Sequence, residues 1–136
     1  MKILVIDGMG GGIGKSVIER LRQETEKYSI LAIGTNAIAT STMLKAGADI
    51  SATGENAIVY NCSRVDVIIG TIGIMLANSM LGEISPTIAE AVSSSEAMKI
   101  LIPTSKCNVF VTGVKDQPTA QYIDEIPNLL KKLEKN

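Results

Sequence analysis

VIDGMGGGIGKS, residues 5–16, sets five glycines within the seven positions from Gly8 to Gly14, directly after the apolar run KILVID. An apolar run that enters a glycine-rich turn and leaves through a helical pattern is a strand–turn–helix unit, and this one decides how the chain is read. Three readings compete for the turn: a dinucleotide-binding site, a P-loop for ATP or GTP, and a tight connection with no ligand.

Downstream the same alternation continues. The candidate strands are KILVID (2–7), SILAIG (29–34), DISAT (49–53), VDVIIG (65–70), MKILIP (98–103) and NVFVTGV (108–114). Several are apolar at consecutive positions, as in strands covered on both faces by helices. Helical patterns fall at about 13–27, 36–46, 55–63, 73–81 and 86–95, and the last segment, DQPTAQYIDEIPNLLKKLEKN, reads as a helix broken or restarted at Pro127. In the first helix Ile13, Val17, Ile18 and Leu21 share one face while Glu19, Arg20, Gln23 and Lys27 cover the other. Ser85 before Pro86 marks a helix start. Only TSKC separates MKILIP from NVFVTGV, too little for a parallel crossover, so the last strand is expected to pair antiparallel at an edge. The expectation is an α/β fold: a single Rossmann-like, doubly wound nucleotide-binding domain over 1–136, a three-layer αβα arrangement with a mostly parallel sheet and an antiparallel C-terminal edge strand.

Composition narrows the function. With 136 residues, 46% of them apolar, the chain has the size of one domain around one core. A net charge of -1 without a basic stripe, and 3% aromatic residues, argue against a nucleic-acid partner. MKILVIDG is too short and too soon interrupted for a signal peptide or a membrane span, so a cytoplasmic protein that binds no membrane is expected. The chain holds no histidine, and Cys62 and Cys107 stand alone without a CxxC, so no metal site is expected and acid–base work would fall to Asp, Glu, Lys, Cys or Tyr. Only Lys45, Asp49, Glu55, Arg64, Asp66, Glu83 and Glu90 carry charge within residues 28–95. The segments NAIATSTMLKAGA and GIMLANSMLGEI therefore look covered, and the expected cover is a second subunit in a homodimer or larger homo-oligomer.

A P-loop, GxxxxGK[ST], wraps a phosphate in backbone amides and presents a lysine to it. Gly14, Lys15 and Ser16 supply its end, but its first glycine falls on Met9. GGIGKS also resembles the end of the deviant Walker loop of the nitrogenase iron-protein family, whose signature lysine would stand at Gly10. The GxxxGxG spacing, by contrast, is met in full by Gly8, Gly12 and Gly14. VIDGMGGGIGKSVIERL resembles the start of the short-chain dehydrogenases. In such a turn the first glycine permits the bend, the second lets a pyrophosphate approach the backbone, the third lets helix and strand pack closely, and the helix N-terminus favours the anion. The likeness stops there. Tyr28, Tyr60 and Tyr122 are followed four positions on by Ala32, Arg64 and Ile126, so the YxxxK pair of those enzymes is missing. The second strand ends in Gly34, Thr35 and Asn36, without the acid that holds ribose hydroxyls in NAD-binding proteins. Asp7 would repel a bare pyrophosphate unless it bonds loop amides or holds a cation. Over residues 3–108 the stretches IDGMGGGIGK, GTNAIATSTMLKAGA, ATGENAIV, DVIIGTIGI, LGEISP and ILIPTSKCN resemble a small, uncharacterised bacterial Rossmann-like family, a domain of unknown function. That resemblance implies the fold and no activity.

Ligands of an open parallel sheet sit outside the carboxyl ends of its strands. Here those ends are small and polar, and the expected cofactor-binding set is Gly8, Gly10, Gly11, Gly12, Ile13, Gly14, Lys15, Thr35, Asn36, Thr71 and Gly73, with NAD or NADP as the expected cofactor. Thr53 and Asn36 also read as ordinary helix caps. Asp7, Glu55, Lys106 and Cys107 are the candidate catalytic groups, although an inert buried thiol is the plainer reading of Cys107 and more so of Cys62. Three functions stay open: a nucleotide-binding sensor or cofactor subunit, a small oligomeric oxidoreductase or other enzyme with its site at a subunit interface, and a P-loop-like nucleotide triphosphatase.

Overall fold

The computed structural model describes residues 1–135. Five strands form one sheet in the order β3-β2-β1-β4-β5: β1 (Lys2–Asp7), β2 (Ser29–Gly34), β3 (Ile50–Thr53), β4 (Val67–Thr71) and β5 (Met98–Ile102). Every pairing is parallel, with Val5 opposite both Ala32 and Ile69. The helices are α1 (Gly12–Glu24), α2 (Ala37–Lys45), α3 (Glu55–Cys62), α4 (Pro86–Ser94) and α5 (Thr119–Glu134).

The alternation of side chains along each strand divides the core. Ile3, Val5, Ile30, Ala32, Val67 and Ile69 face Val17, Ile18 and Leu21 of α1, Met43 of α2, and Ile123, Ile126 and Leu130 of α5. Leu4, Ile6, Ile33 and Ile68 face Ile58 and Cys62 of α3 and Ile88, Ala89 and Val92 of α4. A parallel sheet needs both faces covered in this way, which is why β1 and β4 read as unbroken apolar runs. The winding moves outward from β1 through β2 to β3 and then restarts on the other side at β4. The topological switch point therefore lies between β1 and β4, beside the glycine turn.

Three expectations are corrected. The antiparallel edge strand over 108–114 does not form, and the sheet is wholly parallel. TSKC becomes a 3-10 turn at Ser105–Cys107, Asn108 follows with φ +55, and the next residues run over the surface with Phe110 93% exposed. Among the described residues no strand pairs with NVFVTGV; Val109 is half-buried, and the segment borders an open cleft with Ile13, Ile72, Pro103 and Tyr122. The helix expected at 73–81 is a single 3-10 turn, Ile72–Met75, followed by turns. Asn78, Met80 and Leu81 are left-handed, and the Asn78 amide donates to the Ile84 carbonyl at 2.7 Å, closing a loop where a helix would have run on. Finally, α5 continues through Pro127 instead of breaking there. Proline deprives the Ile123 carbonyl of its helical donor, but Ile123, Ile126, Pro127 and Leu130 make one buried stripe that keeps the helix on the sheet.

Candidate functional site

At the end of β1 the chain bends through Gly8–Gly11, closed by the Gly11 amide on the Gly8 carbonyl at 2.9 Å. The left-handed residues of this bend are Met9 (φ 52) and Gly11 (φ 76). The bend assigned to Gly8 is thus made one and three residues later. Gly8 is required for room instead: a Cβ there would lie 2.7 Å from Thr35 Oγ1, 2.9 Å from Met80 Sδ and 3.0 Å from Glu83 Oε1. A Cβ on Gly14 would lie 2.4 Å from Met43 Sδ and 3.1 Å from the Asp7 Cβ, so this glycine is what lets α1 approach both α2 and β1. Gly10 and Gly12 are different. A Cβ on either meets nothing within 4 Å. Their amides have no partner among the described residues.

Asp7 is only 6% exposed and lies inside the bend. Its Oδ1 accepts from the Gly8 amide at 2.8 Å and its Oδ2 from the Gly14 amide at 2.7 Å. Burial pushes its carboxyl above the usual range, against the pull of the Gly14, Gly8 and Ile13 amides, and the charge of Glu83 pushes it the same way as burial. Asp7 thereby ties the start of the turn to the first turn of α1, the amide-bonding role that reconciles a carboxylate with this position.

Glu83, in the loop after β4, went unremarked as a site residue. Its Oε1 accepts from the Met9 amide at 3.0 Å, the Thr35 hydroxyl at 2.5 Å and the Asn36 side-chain amide at 2.9 Å. The Thr35 and Met9 bonds, aided by Asn36, hold its carboxyl below the usual range against the opposing effect of partial burial. The one sequence signal was its isolation: between Asp66 and Glu90 it is the sole charged residue. Asn36 does two things at once. Its Oδ1 caps α2 by accepting from the Ala39 amide, and its Nδ2 also donates to the Met9 carbonyl at 2.9 Å.

The other candidates spread out from this centre. Lys15 is exposed on the first turn of α1 and forms no ion pair among the described residues. Ser16 donates to the Gly12 carbonyl at 3.1 Å. Thr71, 5% exposed, ends β4, and its neighbour Gly73 gives its carbonyl to the Ser79 hydroxyl at 2.5 Å. Thr53 shares a hydrogen bond with Thr40 at 2.7 Å. Glu55 accepts from the Ser85 hydroxyl, the cap of α4, and makes no hydrogen bond to the turn among the described residues. Lys106 lines an open cleft of about 490 Å³ together with Ile13, Ile72, Pro103 and Thr104, on the β4–β5 side of the turn. Cys107 donates its thiol to the Thr104 carbonyl at 3.5 Å, and Cys62 is buried, its thiol pushed up to about 11 by that burial. The structure therefore brings Asp7, Thr35, Asn36 and the glycines together with Glu83, and leaves Glu55 and Cys107 out of that group.

A search of the curated proteins returns no match to this chain. Among the solved structures that match are two at low identity. One is a dodecameric FMN-dependent Ubix-like decarboxylase from Escherichia coli O157:H7, 18% identical over 98% of this chain and 77% of that one, with a TM-score of 0.48. The other is AibC, 15% identical over 97% of this chain and 46% of that one, with a TM-score of 0.44. Family comparison reaches further, for the family described as Domain of unknown function (DUF3842) matches residues 2–135, and the chain belongs to it.

Proposed function

We propose that the chain is a nucleotide-binding module, with NAD or NADP as the ligand, whose phosphates lie on the glycine turn. The carrying observation is the contrast within that turn: Gly8, Gly11 and Gly14 are glycine because protein atoms crowd them, whereas Gly10 and Gly12 have open space where a side chain would be and amides with no partner among the described residues. A phosphate oxygen on these two amides would be met by the N-terminus of α1 and by the nearby Lys15. Hydrogen bonds from an amide to an anion are worth about 1.5–3 kcal/mol each, enough for two of them to set the affinity. Lys106 lines the cleft beyond Ile13 and suits the distal part of an extended ligand, and Thr71 and Gly73, buried where β4 ends, would shape its floor. Among the described residues no nucleophile–base pair is assembled at the turn, which favours binding or sensing, or the cofactor subunit of a larger enzyme, over catalysis by this chain alone.

The test is mass spectrometry of ligand released from purified protein, followed by thermal shifts with NAD(H), NADP(H), FMN, ATP and GTP. The expected result is a stabilising shift with a dinucleotide that Gly12→Val abolishes. Shifts that survive Gly12→Val would overturn the placement of the phosphates, and a shift with ATP alone that requires Mg²⁺ and Lys15 would favour a triphosphatase.

A further inference from the structure

We infer that Glu83 reads the ribose of the bound nucleotide, supplying from the loop after β4 the carboxylate that the end of β2 lacks. This rests on the nucleotide reading above and adds to it a choice between ligands. In a doubly wound nucleotide site the ribose lies over the end of β2, where an acidic side chain accepts hydrogen bonds from its hydroxyls. In this chain that position holds Gly34, Thr35 and Asn36. The deficit is made up in space, because the hydroxyl of Thr35 and the amide of Asn36 both donate to Glu83 and hold its carboxylate at the end of β2.

The division of labour between the two oxygens carries the inference. Three donors converge on Oε1, one of them the Met9 amide in the glycine turn itself. Oε2 makes no hydrogen bond among the described residues, and since no buried side-chain oxygen there lacks a partner, it reaches solvent. One oxygen is thus fixed in place and the other is a free acceptor beside the proposed phosphate site. A cis-diol donates to such an oxygen, and a 2′-phosphate would meet its charge. The ligand class is therefore a ribonucleotide with a free 2′-hydroxyl, NAD rather than NADP.

Isothermal titration of the unmodified protein with NAD, NADP and FMN, and with ATP and GTP as controls, tests this, with Glu83→Gln as the variant. The expected result is that NAD binds about tenfold or more tightly than NADP, a gap of about 1.4 kcal/mol, and that Glu83→Gln narrows the gap by weakening NAD and strengthening NADP. The comparison on unmodified protein stands even if the variant does not fold. NADP binding as tightly as NAD, or FMN binding better than both, overturns the role of Glu83 while leaving a nucleotide site in place. Binding of none of the three, nor of ATP or GTP, overturns the nucleotide reading and the role of Glu83 with it.

Discussion

Asp7 and Glu83 flank the same turn, and their carboxyls are displaced in opposite directions. Asp7 is raised by burial, so the folded chain holds that proton more tightly than the unfolded one. Its contribution to stability is full below the ordinary value of about 3.9 and is lost as pH rises through the higher folded value. Glu83 is lowered by its hydrogen bonds to Thr35, Met9 and Asn36. Its contribution is present above the ordinary value of about 4.3 and is lost as pH falls through the lower folded value. Urea unfolding from pH 3 to pH 7 therefore separates them. Relative to Asp7→Asn, the unmodified protein loses stability as pH rises from about 4; relative to Glu83→Gln, it gains stability as pH rises toward about 4. Parallel pH profiles for the unmodified protein and Asp7→Asn would mean that burial does not govern Asp7.

At the scale of elements, the junction of α1 with α2 turns on Gly14 and Met43. Met43 is fully buried, so its sulfur cannot swing into solvent to admit a Cβ 2.4 Å away. Gly14→Ala should cost about 1–3 kcal/mol as an overpacked core position. Gly12→Ala, two residues earlier, has open space and no left-handed backbone, and should be neutral or stabilising by about 0.4–1 kcal/mol. Thermal melts of the two variants check this, and equal losses would contradict the packing described here. The close-packing role of Gly14 was legible in the GxxxGxG spacing, as were all five strands of the sheet, because apolar runs followed by caps such as Asn36 and Ser85 carry their own local signal. What was not legible depended on partners or on backbone that leaves no mark. Left-handed Asn78, Met80 and Leu81 are ordinary letters in an apolar run that reads as a helix. Nothing in NVFVTGV reveals that no strand among the described residues pairs with it. Glu83 reaches Met9 across 74 positions, farther than any spacing rule extends.

At the scale of the molecule, the charge-poor stretch from residue 28 to 95 contributes an apolar exterior. Ile38 on the outer side of α2 is 70% exposed, Ile50 on the edge strand β3 is 63% exposed, and Leu81 in the loop beyond β4 is 94% exposed. Single exposed apolar residues are ordinary on a protein surface, but here they coincide with an unpaired strand edge and few charges to keep copies apart. Part of the sequence-based expectation dissolves in the fold, since Ile74 and Ile84 of GIMLANSMLGEI are buried within the chain itself. Ile38 and Leu81 remain uncovered, on segments that also carry Asn36 and Glu83 to the glycine turn. Self-association through them would place the turn near a subunit boundary. Light scattering coupled to gel filtration at micromolar concentration should give a mass at least twice 14.4 kDa. Ile38→Glu combined with Leu81→Glu should return the monomer without lowering the melting temperature of the chain's own core, because neither side chain packs inside it. An unmodified protein that elutes at 14.4 kDa, or a double variant that assembles unchanged, would place the cover elsewhere or remove the need for one.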